Sequence, residues 1–234
     1  MTKAVFFDAG HTLLYAHPDL GTVYAETTAA LGLRLAPGRY VETFAPAFRE
    51  ASALLSASGE TSDAHDYEMW KGITRRIYDR IEELRRVDFE TWFQALYRRF
   101  GEAEVWRFYD DVESSLKEIR RRGIRIGVVS NWDSRLRTIC DGLGLTRLVD
   151  FVVISAEVGV RKPDPRIFQV ALEKAGVRPD EALHVGDLPE EDGEGARRAG
   201  VRPVLIERQK RLPGRELPSH MPVIRSLKDL LELL

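Results

Sequence analysis

A single cysteine, Cys140, stands in the 234 residues, so no disulfide can form within the chain. Leu136, Ile139 and Leu143 around it form the apolar stripe of a helix, which makes it a packing residue. No stretch approaches the ~18 consecutive apolar residues of a membrane span, and the apolar run before Asp8 is too short for a signal-peptide core. A cytoplasmic location is the expectation. An excess of charge is also missing: 35 basic and 37 acidic side chains leave a formal net charge of -2. That is too little to gather nucleic acid or an anionic membrane, so any anion binding must come from a local pocket. Repeats and low-complexity tracts are absent.

What is present is a globular mixture, 44% hydrophobic and 31% charged, without the bias of disordered chains. The length suits one large α/β domain or a domain carrying an insert. From about residue 110 strands and helices alternate. Val112, Leu116 and Ile119 share a helical face that ends at Gly123; Ile124 to Val129 then reads as a buried strand stopping at Ser130-Asn131. A helix through Leu136, Ile139 and Cys140 leads to a strand from Phe151 to Ile154. Asp164-Pro165 opens a helix carrying Ile167, Phe168, Ala171, Leu172 and Ala175, closed by Gly176. Strands follow at Leu183 to Val185 and Val204 to Ile206, with a short helix through Ala196 and Ala199 between them. A last helix opens at Ser226 and runs on Leu227, Leu230, Leu231 and Leu234.

This order predicts a Rossmann-like, open, mostly parallel sheet with helices on both faces, which binds ligands beyond the carboxyl ends of its strands. Residues 16 to 105 break the alternation. They show no convincing strand but four amphipathic helices, Val23 to Leu31, Tyr40 to Leu55, Tyr67 to Leu84 and Phe89 to Phe100, separated at Pro37-Gly38, Ser56 to Asp63 and Arg86 to Asp88. The expected division is a core of residues 1–15 and 106–234 and a helical cap of residues 16–105, placed to act as a lid.

The chemistry begins where a short apolar strand, Lys3 to Phe7, runs into Asp8 and the glycine-containing turn Ala9-Gly10-His11-Thr12. A second apolar strand, Ala182-Leu-His-Val185, likewise ends in Gly186-Asp187. Two strand-end carboxylates at the mouth of one sheet could share a divalent cation.

Taken in order, Asp8-Ala-Gly-His-Thr12, Ser130-Asn131, Lys162-Pro163-Asp-Pro165 and Gly186-Asp187 with Asp192 resemble the four signatures of the haloacid dehalogenase-like hydrolase superfamily. Ser130-Asn131-Trp-Asp133-Ser-Arg135-Leu136 and Lys162-Pro-Asp-Pro-Arg-Ile-Phe168 are most similar to its rhythmically expressed gene two subgroup. The resemblance implies that Asp8 attacks phosphorus and forms an aspartyl phosphate. It implies Mg²⁺ held by Asp8, the Gly10 carbonyl and Asp187, with Asp192 on the metal or its water shell. Thr12, Ser130, Asn131 and Lys162 are the expected substrate-binding residues, Lys162 acting in catalysis as well. With only seven lysines among 35 basic residues, a compact ammonium at 162 stands out from an arginine background. The partner implied is a small phosphorylated metabolite, without nucleic acid or membrane, the protein being a monomer or homodimer.

The chain departs from this pattern at one point. In the superfamily's usual phosphatases a second aspartate, two residues after the nucleophile, protonates the leaving group. Here that residue is Gly10. General acid-base help is worth ~10²- to 10⁴-fold. His11, a cap residue or water could supply the proton, or the substrate could be an acyl or aryl phosphate needing none. The alternatives are a haloacid dehalogenase, a phosphonate C-P hydrolase using a cap lysine such as Lys71, or a weakly active phosphate-binding or interaction module.

Overall fold

The computed structural model describes residues 1–55, 59–208 and 218–234. In chain order the strands are β1 (Ala4–Phe7), β2 (Leu14–Ala16), β3 (Trp106–Phe108), β4 (Arg125–Ser130), β5 (Phe151–Ile154), β6 (Ala182–Gly186), β7 (Arg202–Ile206) and β8 (Val223–Ile224). The helices are α1 (Leu20–Ala30), α2 (Pro37–Leu55), α3 (Asp63–Arg80), α4 (Phe89–Arg99), α5 (Val112–Arg121), α6 (Arg135–Gly142), α7 (Ser155–Val158), α8 (Pro165–Ala175), α9 (Gly195–Arg198) and α10 (Leu227–Leu230).

Six strands form one sheet in the order β5-β4-β1-β6-β7-β8, and every neighbouring pair is parallel. The alternation of β1 builds both layers of the core, because successive side chains leave a strand on opposite faces. Val5 and Phe7 pack with Val112, Leu116 and Ile119 of α5 and with Leu136 and Ile139 of α6. Ala4 and Phe6 pack with Ile167, Phe168 and Ala171 of α8. Phe6 and Phe7 are fully buried, and each such side chain contributes about 1.5 to 3 kcal/mol. Close packing also explains a glycine in β4: a Cβ at Gly127 would lie 2.4 Å from the Phe151 ring.

Between β2 and β3 lie α1 to α4, which have an aromatic core of their own around Tyr24, Tyr40, Trp92 and Phe93. A cluster of buried polar atoms within it is satisfied internally: the Tyr40 hydroxyl and Trp92 Nε1 donate to Thr28 Oγ1 at 2.8 and 2.9 Å, and Thr28 donates to the Tyr24 carbonyl. Asp19, Ser62 and Asp88 cap α1, α3 and α4. The break expected at Ser56 to Asp63 falls partly outside the described residues.

Several details differ from the sequence expectation: Pro37-Gly38, expected as a break, opens α2, since proline suits a first helical turn. β2 and β3 pair antiparallel, Leu14 opposite Phe108 and Ala16 opposite Trp106; three residues are too few to carry an alternation. The helix expected over Tyr67 to Leu84 starts at Asp63, stops at Arg80 and passes into a 3₁₀ turn at Glu82–Arg86. The final helix begins after its Ser226 cap but covers only Leu227–Leu230.

A buried ion pair ties the strand ends to the Asp8 turn. Arg208, beyond β7, donates to both Asp111 oxygens at 2.8 and 2.7 Å and to the Thr12 carbonyl at 3.0 and 2.7 Å. Asp111 also accepts from Ser226 Oγ and the Leu227 amide, both at 2.7 Å. Burial alone would raise the Asp111 pKa, but Arg208 and these donors outweigh it and hold it below the ordinary 3.8. Removing one partner strands the other charge, so Arg208→Met should cost about 3 to 5 kcal/mol at neutral pH. A carboxyl with a depressed native pKa stabilises above its unfolded pKa and stops doing so as pH falls through the native value. Denaturant unfolding of wild type and Arg208→Met should therefore diverge at pH 7 and converge below about pH 4. Equal stabilities at pH 7 would show that the pair does not support the fold.

Candidate active site

Asp8 follows β1 directly, and its amide continues the ladder by donating to the Val185 carbonyl at 2.9 Å. β4 and β6 flank β1, so Ser130 and Asp187, which end those strands, fall on either side of Asp8. The side chain of Asp8 receives two hydrogen bonds at one oxygen: Ser130 Oγ donates to Oδ1 at 2.9 Å and Lys162 Nζ donates to it at 2.7 Å. Oδ2 is the oxygen these donors do not engage.

Lys162 lies in the loop before α8 and is 2% exposed. Its ammonium bridges two carboxylates, donating also to Asp192 Oδ1 at 2.6 Å. Asn131 fixes the loop that carries it: Asn131 Oδ1 accepts from the Lys162 amide at 2.7 Å and Asn131 Nδ2 donates to the Lys162 carbonyl at 2.9 Å. The same Nδ2 donates to Glu191 Oε2 at 2.7 Å. The Asn131 side chain is thus committed to holding Lys162.

Asp192 sits on a π-type turn, Pro189–Glu194, a local widening often found at functional sites. Its Oδ2 accepts from the Leu188 amide at 2.9 Å, and its Oδ1 pairs with His184 Nε2 at 2.9 Å as well as with Lys162. Gly186 makes this approach possible, because a Cβ there would lie 2.1 Å from Asp192 Cγ. The Gly-Asp of the fourth motif therefore has a packing reason as well as a chemical one.

Burial on its own would lower the Lys162 pKa, but the Asp192 and Asp8 charges outweigh it and hold the ammonium above its ordinary value. Burial would likewise raise Asp192, yet Lys162 and the His184 hydrogen bond pull it well below the carboxylate range. His184 is fully buried, and burial lowers its pKa despite the neighbouring Asp192. Since Asp192 is ionised and can only accept, a neutral His184 carries its proton on Nε2. Nδ1 then remains a bare acceptor with no hydrogen-bond partner among the described residues, beside the edge-on Phe168 ring at 4.9 Å.

One oxygen from each of Asp8, Asp187 and Asp192 lies within 4.8 Å of the others. Hard carboxylate oxygens suit Mg²⁺. Within this set the two oxygens of Asp192 take three donors, from Lys162, His184 and the Leu188 amide.

Around the Asp8 turn the expected residues divide. Thr12 is fully buried and its hydroxyl has no hydrogen-bond partner among the described residues; its carbonyl is held by Arg208. His11 turns the chain with a φ of 54° and its amide donates to the Leu14 carbonyl. Its ring is solvent-exposed although protein surrounds the turn; that surrounding protein lowers its pKa and the Asp8 charge opposes the shift. At Gly10 a Cβ would lie 3.4 Å from Cζ3 of Trp132.

His184, Glu191 and Trp132 belong to this site but were not among the expected residues. A histidine inside the otherwise apolar Ala182-Leu-His-Val185 was the one available signal, because a buried imidazole needs a partner. Glu191 carries no such signal, and Trp132 stands in the sequence only as part of the Ser130-Asn131-Trp-Asp133 signature.

Comparison with known proteins agrees with this geometry. A family model described as hydrolase, haloacid dehalogenase-like hydrolase, matches residues 2–200. Human haloacid dehalogenase-like hydrolase domain-containing protein 3 is 34% identical over 204 residues, covering 87% of this chain and 81% of that protein. The Drosophila melanogaster Rhythmically expressed gene 2 protein is 27% identical over 220 residues, 87% of this chain and 82% of that one. A phosphoserine phosphatase of Thermus thermophilus is 44% identical over 110 residues, 47% of this chain and 44% of the relative. An Asp8 strand end, a Ser130-Asn131 strand end, a buried Lys162 and the Asp187-Asp192 pair converge on one point, and the family match spans all of them: the chain belongs to the haloacid dehalogenase-like hydrolases.

Proposed function

We propose that this hydrolase is a Mg²⁺-dependent phosphatase acting on a small phosphorylated metabolite through an aspartyl phosphate on Asp8. The observation that supports it most is the state of the Asp8 carboxylate: it is oriented through Oδ1 by Ser130 and Lys162, leaving Oδ2 to attack. That oxygen would bond to phosphorus as the ester P–O bond breaks, and the leaving oxygen would take its electron pair and then a proton. Water would next attack the aspartyl phosphate, regenerating Asp8 and releasing inorganic phosphate. Ser130 and Lys162 would hold non-bridging phosphate oxygens, Lys162 moving part of its bonding from Asp8 to the substrate. Mg²⁺, held by Asp8, Asp187 and the Gly10 carbonyl, would neutralise the charge of the phosphoryl group.

The helices between β2 and β3 are proposed as the cap, closing over the substrate to exclude water. The same reading takes the enzyme as a cytoplasmic monomer or homodimer with no nucleic-acid or membrane partner, an expectation that rests on the near-balanced charge. Phosphonate cleavage would need a lysine from the insert; Lys71 instead pairs with Glu90 at 2.7 Å. A screen of phosphorylated metabolites should release phosphate only with Mg²⁺, and Asp187→Asn should weaken Mg²⁺ affinity at least about tenfold. Unchanged affinity in that variant would remove Asp187 as a ligand, and no phosphate from any compound would sink the phosphatase reading.

A further inference from the structure

The missing acid leaves a gap in the chemistry, and an indole stands beside it. An acid two residues after the nucleophile would grow from the Cβ of residue 10, and the first atom met from that position is Cζ3 of Trp132, 3.4 Å away. The indole thus borders the place from which a leaving group would be protonated. Its position is fixed on several sides. The Trp132 amide donates to Ser155 Oγ at 3.0 Å, and the Trp132 carbonyl accepts from Ser155 Oγ at 3.1 Å and from the Ala156 amide at 3.2 Å. The Trp106 ring meets the indole edge-on at 5.0 Å, and Trp106 is itself anchored by its Nε1 on the Phe100 carbonyl at 3.1 Å. Yet Trp132 remains half-buried rather than sealed in the core.

We propose that Trp132 is a specificity residue of a site that Gly10 leaves without an acid: the indole, in van der Waals reach of the place a residue-10 side chain would start, presents an apolar, aromatic wall to the leaving group. The substrate class this selects is a phosphomonoester whose leaving group is flat and departs as a stabilised anion, an aryl phosphate in the simplest case. Two effects act together. Without an acid at residue 10, alkoxide leaving groups forgo a contribution of ~10²- to 10⁴-fold that phenoxides need far less. Stacking or edge-to-face contact with a fixed indole adds about three- to tenfold for an aromatic group beyond its burial. This inference rests on the phosphatase reading, and its test separates the two.

The first measurement is binding, independent of turnover. Asp8→Asn protein with Mg²⁺ is titrated calorimetrically with phenylphosphonate and with ethylphosphonate. The phenyl compound should bind about three- to tenfold tighter, and Trp132→Leu added to Asp8→Asn should bring the ratio close to one. An equal ratio with and without Trp132 would overturn the indole's role whatever the enzyme's activity. The second is kcat/KM in wild type and Trp132→Ala for phenyl and fluoroalkyl phosphates matched in leaving-group pKa, and in wild type and Gly10→Asp for a simple alkyl phosphate, each variant checked for folding by its Tm. Trp132→Ala should lower the phenyl over fluoroalkyl ratio about three- to tenfold, and Gly10→Asp should raise simple alkyl turnover at least about tenfold. A phenyl over fluoroalkyl ratio unchanged by Trp132→Ala would overturn the aromatic wall, and no alkyl gain in Gly10→Asp would overturn the claim that the lost acid sets the leaving-group preference. Absence of phosphate release throughout would count against the phosphatase reading alone, the binding ratio still deciding the aromatic wall.

Discussion

Asp8→Asn should lower kcat by at least about 10⁴-fold while leaving a folded protein. Asparagine is nearly isosteric with aspartate, and its carbonyl can accept from Ser130 Oγ and Lys162 Nζ as Asp8 Oδ1 does. Lys162 keeps a carboxylate partner at Asp192, 2.6 Å away, so its charge is not stranded. What disappears is the nucleophilic oxygen and one charge of the metal cluster. A loss of 10⁴-fold corresponds to about 5.5 kcal/mol of transition-state stabilisation. Fluoroberyllate, which mimics a phosphoryl group on a carboxylate, should raise the Tm of wild type in a Mg²⁺-dependent manner and leave Asp8→Asn unmoved. Turnover in the variant within tenfold of wild type would rule out a covalent aspartyl phosphate.

How much of this was legible in the sequence depended on the range of the cause. Short apolar runs such as Ile126 to Val129 and Leu183 to Val185 announce buried parallel strands on their own, and the residues ending them, Asp8, Ser130 and Asp187, are placed at the mouth of the sheet by strand order. Helix caps are equally local, so Ser226 and Asp164 were readable one turn ahead. The β2–β3 ribbon was not, because its pairing joins residues about ninety positions apart over three residues each. The Lys162–Asp192–His184 chain is hidden for the same reason. Only the fold tells that Asp192 accepts from Lys162 and that Asn131 hydrogen-bonds the Lys162 backbone. Gly10 was visible as a lost acid; that an indole occupies the adjoining space was not.

The interior position of Lys162 makes it the residue whose loss should damage stability and activity together. Lys162→Met is close in length and removes the charge from a site that is 2% exposed. Asp192 would then be buried with the Leu188 amide and His184 Nε2 as donors and no cation. An uncompensated buried charge costs about 3 to 5 kcal/mol, a large part of a typical domain's 5 to 15 kcal/mol. Lys162→Arg is not a rescue, since a planar fork cannot replace a point charge held 2.7 Å from Asp8 and 2.6 Å from Asp192. The two roles separate in a double variant. Adding Asp192→Asn to Lys162→Met removes the stranded charge while retaining an acceptor for His184 and Leu188, so denaturant unfolding should recover at least half of the lost stability. Activity should stay low, because the ammonium that orients Asp8 and meets the phosphate is still missing. Should Lys162→Met unfold at the same denaturant concentration as wild type, the ion pair between Lys162 and Asp192 is not a support of the fold, and the burial of the lysine must be explained by catalysis alone.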